Sequence, residues 1–432
     1  MGELRTILLE EGLERLIDYR GKSPPKSSNG IPVISAKVVK DGRILQPVEQ
    51  TIEPNYYPVW MTRGLPNVGD VVMTTEGPLG EVAQLNEETV KFALGQRVVC
   101  MCGKRGLLDN KFLKFLLISP IQQDILSSYA TGTTVEGISQ KALRSVPISV
   151  PPYKEQIAIG ELLGALDDKI DLNRRMNETL ETMARAIFKD WFVDFGPVRA
   201  KAEGRPPYLA PDLWALFPDA LDDDDKPVGW RTGTLQNLVE LNPKEPLSKG
   251  SFAPYLEMAA LPTSGSTPEP PIAREFTSGT RFRNGDTLLA RITPCLENGK
   301  TAFVQILPSG VVGWGSTEFI VLRPVPPVPK PYAYILAREN SFRTHAIQSM
   351  TGTSGRQRAR NEALAEYPVF IPNNENAIWR AFGSMIEPLF QRIEVNGENS
   401  QTLAQLRDLL LPKLMSGEIR LRDAEKIVEA VA

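Results

Sequence analysis

Two short stretches of the sequence contain residue types that could perform catalysis, and each lacks a group that the chemistry needs. Val150-Pro151-Pro152-Tyr153 differs in its first residue from the (Asn/Asp)-Pro-Pro-Tyr pattern that holds an amino group for methyl transfer, because the Val150 side chain cannot accept a hydrogen bond. Gly299-Lys300-Thr301 has the ending of a phosphate-binding P-loop, but Pro294 stands where the first glycine belongs and has no N–H to donate. Neither stretch predicts an active site.

Histidine, cysteine and carboxylate chemistry is no better supported. His345 is the only histidine, and the only cysteines are Cys100, Cys102 and Cys295. This argues against multi-histidine metal sites and against a disulfide framework. Carboxylates and a lysine of the nuclease type occur within Asp219–Lys226, but this acidic segment has no strand pattern, and we interpret it as solvated charge. The sequence therefore predicts no catalytic residue, no metal ligand and no cofactor.

Positive charge is concentrated in one region of a chain whose formal net charge is −3. Residues 281–360 contain eleven Lys or Arg and four Asp or Glu, a local net charge of +7. Such a region suits a polyanion, and the alternative is a solvated charged surface. No apolar run approaches the ~18 residues needed to cross a membrane. The few cysteines fit a reducing cytoplasm.

An internal repeat divides the chain into two similar halves. Segments of the first half recur in the second at offsets of 216 to 223 residues. The matching pairs are Gly69-Asp70 with Gly285-Asp286, Thr131-Gly132-Thr133 with Thr351-Gly352-Thr353, Val146–Pro151 with Tyr367–Pro372, and Lys169–Asn173 with Arg392–Asn396. The small drift in offset indicates one ancestral unit with short insertions, and the period is far longer than that of a solenoid.

Each half ends in a long amphipathic stretch, predicted to be helical over residues 153–192 and 374–416. Apolar residues recur there at heptad spacing, which requires a partner helix, and the first rod would be about 58 Å long. We expect the two helices to pair with each other, the alternative being that each packs only on its own domain. Asn173 and Asn396 occupy equivalent positions and are expected to help fix the register. The seam residues are Leu166, Ile170, Asn173, Leu180, Ile187, Leu389, Ile393, Asn396, Leu403 and Leu410.

The predicted architecture is α+β, with two repeated globular domains that are each followed by a long helix. The segments are a first domain (1–152), a first long helix (153–192), a Pro-rich acidic linker without periodicity (193–226), a second domain (227–373), a second long helix (374–416) and a C-terminal tail (417–432). Local patterns predict helices at 5–17, 112–129 and 332–350, strands at 71–75 and 287–291, and a short helix capped by Ser139.

At this point the sequence resembles the specificity (S) subunits of type I restriction–modification systems over nearly its whole length. The stretches that carry the resemblance are GLERLIDYRGKSPPKSSNGIPVISAKVVKDGRI, ATGTTVEGISQKALRSVPISVPPYKEQIAIGELLGALDDKIDLNRRMNETLE, FKDWFVDFGPVRAKAEGRPP, GDTLLARITPCLENGKTAF and LRDLLLPKLMSGEIRL. Several of these are specific to that family. In the second domain the recognition loop reads TGTSGRQRARNEAL, which is much more basic than TGTTVEGISQKAL in the first.

The resemblance implies a subunit without an active site of its own. Its two globular domains would be target-recognition domains, each reading one half of a bipartite double-stranded DNA site. The long helices would form an antiparallel coiled coil that sets the gap between the halves. They would also dock two methyltransferase (modification) subunits, and a restriction/translocase subunit would join this complex in the cytoplasm.

The residues expected to contact DNA are polar or basic side chains in loops and at strand ends. In the first domain they are Lys37, Thr74, Thr75, Thr133, Thr134 and Lys141. In the second domain they are Arg291, Thr293, Lys300, Thr353, Arg356, Arg358 and Arg360. The last three are the strongest candidates, because three positive charges within five residues repel one another unless an anion is present. For each threonine, a turn or capping hydroxyl is an equally good interpretation.

Two other functions remain open from the sequence. A self-sufficient DNA-modifying enzyme would need a cofactor loop and the full (Asn/Asp)-Pro-Pro-Tyr motif. A helical scaffold or adaptor that holds proteins without reading DNA would need only the long helices.

Overall fold

The computed structural model describes residues 4–19, 23–132, 134–353, 355–373 and 375–431. Its contacts divide the chain into two units. The first unit combines Met1–Ile170 with Gln401–Ala432, and the second is Asp171–Ser400. Each unit therefore contains one globular domain and a part of both long helices. No helix in the described ranges is long and apolar enough to cross a membrane.

The globular part of the first unit is built mainly from short strands. The strands are β1 (Arg5–Leu8), β2 (Leu13–Asp18), β3 (Ile31–Ile34), β4 (Val39–Lys40), β5 (Arg43–Ile44), β6 (Thr51–Ile52), β7 (Val71–Thr75), β8 (Leu79–Gln84), β9 (Ala93–Leu94), β10 (Val98–Gly103) and β11 (Pro147–Val150). The helices are α1 (Leu9–Gly12), α2 (Tyr57–Trp60), α3 (Asn110–Ile118), α4 (Pro120–Ser128) and α5 (Gln140–Arg144), followed by the long helix α6 (Tyr153–Phe192).

The second unit repeats this design after two short helices, α7 (Gly196–Ala202) and α8 (Pro211–Trp214). Its strands are β12 (Arg231–Thr234), β13 (Val239–Leu241), β14 (Phe252–Leu256), β15 (Ile272–Glu275), β16 (Thr280–Phe282), β17 (Thr287–Ala290), β18 (Thr301–Phe303), β19 (Gly313–Gly315), β20 (Phe319–Pro324) and β21 (Pro368–Ile371). Its helices are α9 (Tyr332–Arg338), α10 (Asn340–Gln348) and α11 (Asn361–Ala365). The chain ends with the long helix α12 (Glu375–Ser416) and with α13 (Leu421–Val431).

The two globular parts share one sheet topology, which confirms the internal repeat. Strand order β2-β10-β7-β8 in the first corresponds to β13-β20-β17-β18 in the second. The antiparallel pair β1-β11 corresponds to β12-β21, and the parallel pair β3-β9 corresponds to β14-β19. The strands β7 and β17 are buried along their whole lengths and each lies between two neighbouring strands of its sheet.

The helix predicted at residues 5–17 is wrong. Its apolar residues instead form β1 and β2, joined by the single turn α1. β1 pairs with β11 and β2 pairs with β10, both antiparallel and both from far along the chain. Long-range strand pairing therefore overrides the local helical spacing.

The helices predicted at 112–129 and 332–350 are each divided into two. Ser119 has an extended backbone (φ −60°, ψ 140°), and Pro120 begins α4 after it. Glu339 has the corresponding extended conformation between α9 and α10. The predicted strand at 71–75 is observed as β7, and Ser139 caps α5 by accepting a hydrogen bond from the N–H of Ala142.

The long helices pack together antiparallel, as the predicted fold requires. In the first unit the beginning of α6 packs with the end of α12. Leu166, Leu403 and Leu410 are buried in one core, and the partly buried Ile170 packs against it. In the second unit the pairing involves the end of α6 and the beginning of α12. There Ile393 is buried, and the partly buried residues packed against the core include Leu180, Ile187 and Leu389.

A layer of amide side chains interrupts this apolar seam in the second unit. Asn173 and Asn396 are 4% and 0% exposed. Their side chains do not bond to each other: Asn173 Nδ2 donates to the carbonyl of Asn396 and to Ser400 Oγ, whereas Asn396 Nδ2 donates to Asn177 Oδ1. The amide layer thus joins α6 and α12 by hydrogen bonds, but the two equivalent asparagine side chains bond to other groups rather than to each other.

The predicted linker and tail both contain helices. α7 and α8 lie in the linker, and its Phe195 and Phe217 are buried, with edge-to-face contacts to Trp230 and Trp191 respectively. The linker is therefore part of the second unit's core. Helix α13 occupies most of the tail, and Ala424 is buried in the core of the first unit.

Candidate nucleic-acid interface

In both globular domains, the loop that begins at Thr131-Gly132 or at Thr351-Gly352 returns to the end of the central strand. Thr131 and Gly137 exchange backbone hydrogen bonds of 2.8 and 3.0 Å, and the N–H of Ile138 donates to the carbonyl of Thr75. In the second domain, Thr351 and Arg358 exchange the same pair of hydrogen bonds (3.0 and 2.9 Å). The two loops thus occupy equivalent positions beside β7 and β17.

The glycine of each loop is required by its backbone. Gly132 has φ +112° and Gly352 has φ +128°, a region that favours glycine. An added Cβ would lie 2.4 Å from the carbonyl oxygen of Val135 at Gly132, and 3.0 Å from that of Arg356 at Gly352. The chain can therefore fold back on itself tightly at this point in both domains.

A polar notch lies between the loop and the strand in the first domain. It has a volume of about 270 Å³ and is lined by Thr75, Glu76, Thr131, Val135, Gly137, Ile138 and Ser139. Thr75 is 1% exposed, and its hydroxyl has no hydrogen-bond partner among the described residues. The neighbouring Thr74 is also buried, but its hydroxyl accepts a hydrogen bond of 2.9 Å from the N–H of Glu81.

Each domain has an ion pair at this edge, and a basic residue in the first domain occupies the position of an acidic residue in the second. The carbonyl of Arg97 accepts from the N–H of Thr75, and the carbonyl of Glu318 accepts from the N–H of Arg291, so Arg97 and Glu318 are equivalent. Arg97 pairs with Glu76 at 3.2 Å, and Glu318 pairs with Arg358 at 2.7 Å. Glu76, Arg97 and Glu318 were not among the predicted contacts, since no local pattern connects them to their partners.

The pair in the second domain is the more tightly bonded one. Arg358 Nε and Nη2 both donate to the carboxylate of Glu318. These hydrogen bonds hold the pKa of the Glu318 carboxyl below its usual value and raise the pKa of Arg358. The carboxylate of Glu318 thus supplies part of the negative charge that the cluster of Arg356, Arg358 and Arg360 requires. Arg360 donates to the carbonyl of Ser349, and Arg356 is exposed.

The remaining predicted contacts of the second domain lie around the same strand end. Arg291 Nη2 donates to the carbonyl of Ala359, while its Nε and the hydroxyl of Thr293 are buried without a partner among the described residues. Lys300 donates to the carbonyl of Met258, and Thr353 is exposed in the loop. The structure therefore brings Arg291 and Thr293 next to the arginine-rich loop.

The other predicted contacts of the first domain are spread along its surface. Lys37 is exposed after β3, Thr134 is exposed in the loop, and Lys141 is exposed in α5. Thr133 lies outside the described residues. Of the predicted set, only Thr75 and Thr74 lie in the central strand, and only Thr75 lines the notch.

Some of the positively charged side chains within residues 281–360 make structural contacts inside the domain. Arg323 donates two hydrogen bonds of 2.6 Å to the buried carboxylate of Asp286 and also pairs with Glu245. Arg338 donates to the carbonyls of Thr263, Gly265, Gly299 and Thr301. The net charge of this region therefore overstates the charge available to a ligand.

The buried aspartate has a counterpart in the first domain. Asp70 is 1% exposed and accepts from Arg15 at 2.8 Å and from the N–H of Asn67. Asp286 likewise accepts from the N–H of Arg283. The repeated Gly-Asp pair thus anchors the start of β7 and β17, and an arginine from a different strand neutralises it in each domain.

These features define a two-domain protein in which the same strand-and-loop edge recurs in both domains and in which two long helices pack antiparallel. Residues 19–182 match the profile of the type I restriction modification DNA specificity domain. The chain is similar to the type I restriction enzyme MjaIX specificity subunit of Methanocaldococcus jannaschii, with 23% identity over 400 residues that cover 85% of each chain. It is also similar to the HindI specificity subunit of Haemophilus influenzae, with 23% identity over 81% of this chain and 86% of the relative.

A solved structure has the same fold. The S subunit of a type I restriction–modification system from M. genitalium matches 95% of this chain and 96% of its own, with a TM-score of 0.52 and 15% identity. The chain is therefore similar along most of its length to specificity subunits of type I restriction–modification systems, residues 19–182 match their DNA specificity domain, and the fold is that of a solved S subunit.

Proposed function

We propose that the chain is the non-catalytic subunit that gives a type I restriction–modification complex its DNA sequence specificity. Each globular domain, over residues 1–152 and 227–373, would read one half of a bipartite double-stranded site. The observation that carries this proposal is the repeated edge beside β7 and β17, where a loop that begins with Thr-Gly, unsatisfied polar atoms and an ion pair recur in both domains. Two similar reading edges suit a target of two halves.

The long helices would set the gap between the two half-sites. α6 has 40 residues and α12 has 42, so each rod is roughly 60 Å long. One turn of DNA is about 34–36 Å, which makes helices of this length adequate as a spacer. The amide layer of the buried Asn173 and Asn396 with the partly buried Asn177 would keep one register and therefore one gap.

The helices would also dock two modification subunits, and a restriction/translocase subunit would join the complex in the cytoplasm. Large apolar side chains remain exposed on both helices: Leu172 and Met183 on α6 are 46% and 49% exposed, and Val395 and Leu409 on α12 are 42% and 52% exposed. Side chains of this kind on paired helices are suited to burial against further helices. The chain itself would perform no chemistry.

Mapping methylated adenines in the source genome tests the reading function. The expected result is a split motif with a fixed gap, which disappears when the gene is deleted. Gel shifts on mixed-sequence DNA, with and without the modification subunit, test the scaffold alternative. Absence of DNA binding in both conditions would favour a scaffold that does not read DNA.

The arginine-rich loop provides a residue-level test. Replacing Arg356, Arg358 and Arg360 together with alanine should weaken DNA binding. If the three side chains contact phosphates, the slope of log affinity against log salt should fall by up to about 0.9 per arginine lost. Unchanged affinity would remove this loop from the interface.

A further inference from the structure

Thr75 lines the notch beside β7, and its hydroxyl has no hydrogen-bond partner among the described residues. Thr75 Oγ1 makes no hydrogen bond within the described part of the chain, although the residue is 1% exposed and lines the cleft of about 270 Å³. Buried hydroxyls in folded proteins are normally satisfied. The adjacent Thr74 obeys this rule through the N–H of Glu81, so of these two threonines only Thr75 has a hydroxyl left without a partner among the described residues.

The rim of the notch is a carboxylate held in place by an arginine. The Glu76 side chain passes over Gly137, where an added Cβ would lie 3.5 Å from its Cβ and Cγ. Arg97 pairs with Glu76 at 3.2 Å and lies over Gly77, whose Cβ would be 3.3 Å from Arg97 Nη1. Both side chains of the ion pair are close to half exposed, so a ligand can reach them.

These groups favour a hydrogen-bond donor rather than an anion. The carboxylate of Glu76 repels a phosphate, and its one basic neighbour at the rim, Arg97, is already paired with it. In the major groove, the donors that DNA bases present are the amino groups of adenine N6 and cytosine N4, and carboxylates and hydroxyls accept from such groups. We propose that this notch receives the exocyclic amino group of one base in the half-site read by the first domain. The inference rests on the proposed function.

The second domain supports a ligand at this position and differs in polarity. By the repeat, Arg291 replaces Thr75 and Ile292 replaces Glu76. Arg291 Nε and Thr293 Oγ1 are again buried without a partner among the residues described. Both domains thus have, at the same turn, buried polar groups without a hydrogen-bond partner among the described residues, which indicates a shared role. Arg291 and Ile292 replace the hydroxyl of Thr75 and the carboxylate of Glu76, and the nearby Glu318 carboxylate is bonded to two nitrogens of Arg358. The amino-group preference therefore belongs to the first domain alone.

The test combines protein variants with bases that lack the amino group. The full-length chain, with its modification subunits, is first used to select its site from a randomised duplex library. Purine is then substituted for each adenine, and 2-pyrimidinone for each cytosine, in the half-site read by the first domain. At one position this change should weaken binding to the unmodified protein about tenfold.

The Thr75→Val/Glu76→Ala variant removes both acceptors and should lose most of this effect at the same position, because the coupling between the two partners is then absent. Thr75→Ser keeps the hydroxyl and should retain the preference. Thr89→Val is the matched control: Thr89 is also buried, and its hydroxyl is bonded within the domain to Asn86, so its loss should leave the base preference unchanged. Circular dichroism of each variant verifies folding.

Two results would overturn the inference. The first is an equal loss on removal of the amino group in the unmodified protein and in the Thr75→Val/Glu76→Ala variant. The second is a uniform change in affinity on all duplexes with an altered salt slope, which would identify a phosphate contact. If the unmodified complex selects no sequence at all, the proposed function itself fails and the inference fails with it.

Discussion

The side-chain amide of Asn396 donates a hydrogen bond of 2.8 Å to Asn177 Oδ1 between the two long helices. Asn396 is fully buried, and Asn177 Nδ2 in turn donates to the carbonyl of Ile393. An amide in an apolar seam lowers stability but favours the one alignment in which its bonds are made. The layer therefore connects the packing of the helices to the proposed gap between half-sites.

Replacing Asn396 with alanine should destabilise the protein by about 1–3 kcal/mol, because Asn177 loses its buried partner. Urea-induced unfolding measures this directly. Asn399→Ala, at an exposed position of the same helix, is the control and should change stability by less than about 0.5 kcal/mol. The Asn177→Leu/Asn396→Leu variant should be at least as stable as the unmodified protein while recognising sites with more than one gap. A single gap in that variant would show that the apolar seam alone sets the register.

Glu181 should make the stability of the protein depend on pH. Burial raises the pKa of its carboxyl above the ordinary value of 4.5, against the opposing effects of the hydrogen bond from Tyr334 and the charges of Arg338 and Arg185. Because the folded state then holds its proton more tightly than the unfolded state, this contribution to stability is present at low pH. It is lost as the pH rises through the folded-state pKa.

Urea unfolding as a function of pH, upward from the ordinary pKa of 4.5, should therefore show a decline in the free energy of unfolding that Glu181→Gln reduces. Glu178→Gln is the matched control on the same helix, since Glu178 is 59% exposed. A decline of the same size in the Glu181→Gln variant would assign it to other groups.

Glu318 should compete with DNA for Arg358. Glu318→Gln removes the negative charge that holds the guanidinium, so binding to mixed-sequence DNA should strengthen, with a salt slope steeper by about 0.9 if one more phosphate contact forms. Fluorescence anisotropy at several salt concentrations measures both quantities. The Glu318→Gln/Arg358→Ala variant should bind no more tightly than Arg358→Ala alone. A gain in affinity that survives the loss of Arg358 would mean that Glu318 acts on another cation.

The long helices and the repeat were predictable because their signals are local and redundant. Heptad spacing continues through α6 and α12, and matched segments such as Gly69-Asp70 and Gly285-Asp286 recur at nearly constant offsets. The break between α3 and α4 also had a local signal that was overlooked, since the residue before a proline, here Ser119, disfavours helix.

The N-terminal strands and the ion pairs had no local signal. β1 pairs with β11, some 140 residues away, and nothing within residues 5–17 reveals this partner. Glu318 and Arg358 are separated by 40 residues, so the guanidinium looked free in the sequence. The positions of charges could be predicted, but which of them remain available depends on the fold.

The gap between half-sites should follow the length of the helix pair. A four-residue insertion of about one turn lengthens a helix by roughly 6 Å, which corresponds to one to two base pairs of DNA at about 3.4 Å each. Because the helices are antiparallel, insertions after Leu172 in α6 and after Ser400 in α12 lie on the same side of the amide layer and leave its hydrogen bonds intact. Methylation mapping should then show the same half-site bases with a longer gap. The insertion after Leu172 alone is the control, since it displaces one helix against the other and should abolish specific methylation. An unchanged gap in the double insertion would exclude the helices as the spacer.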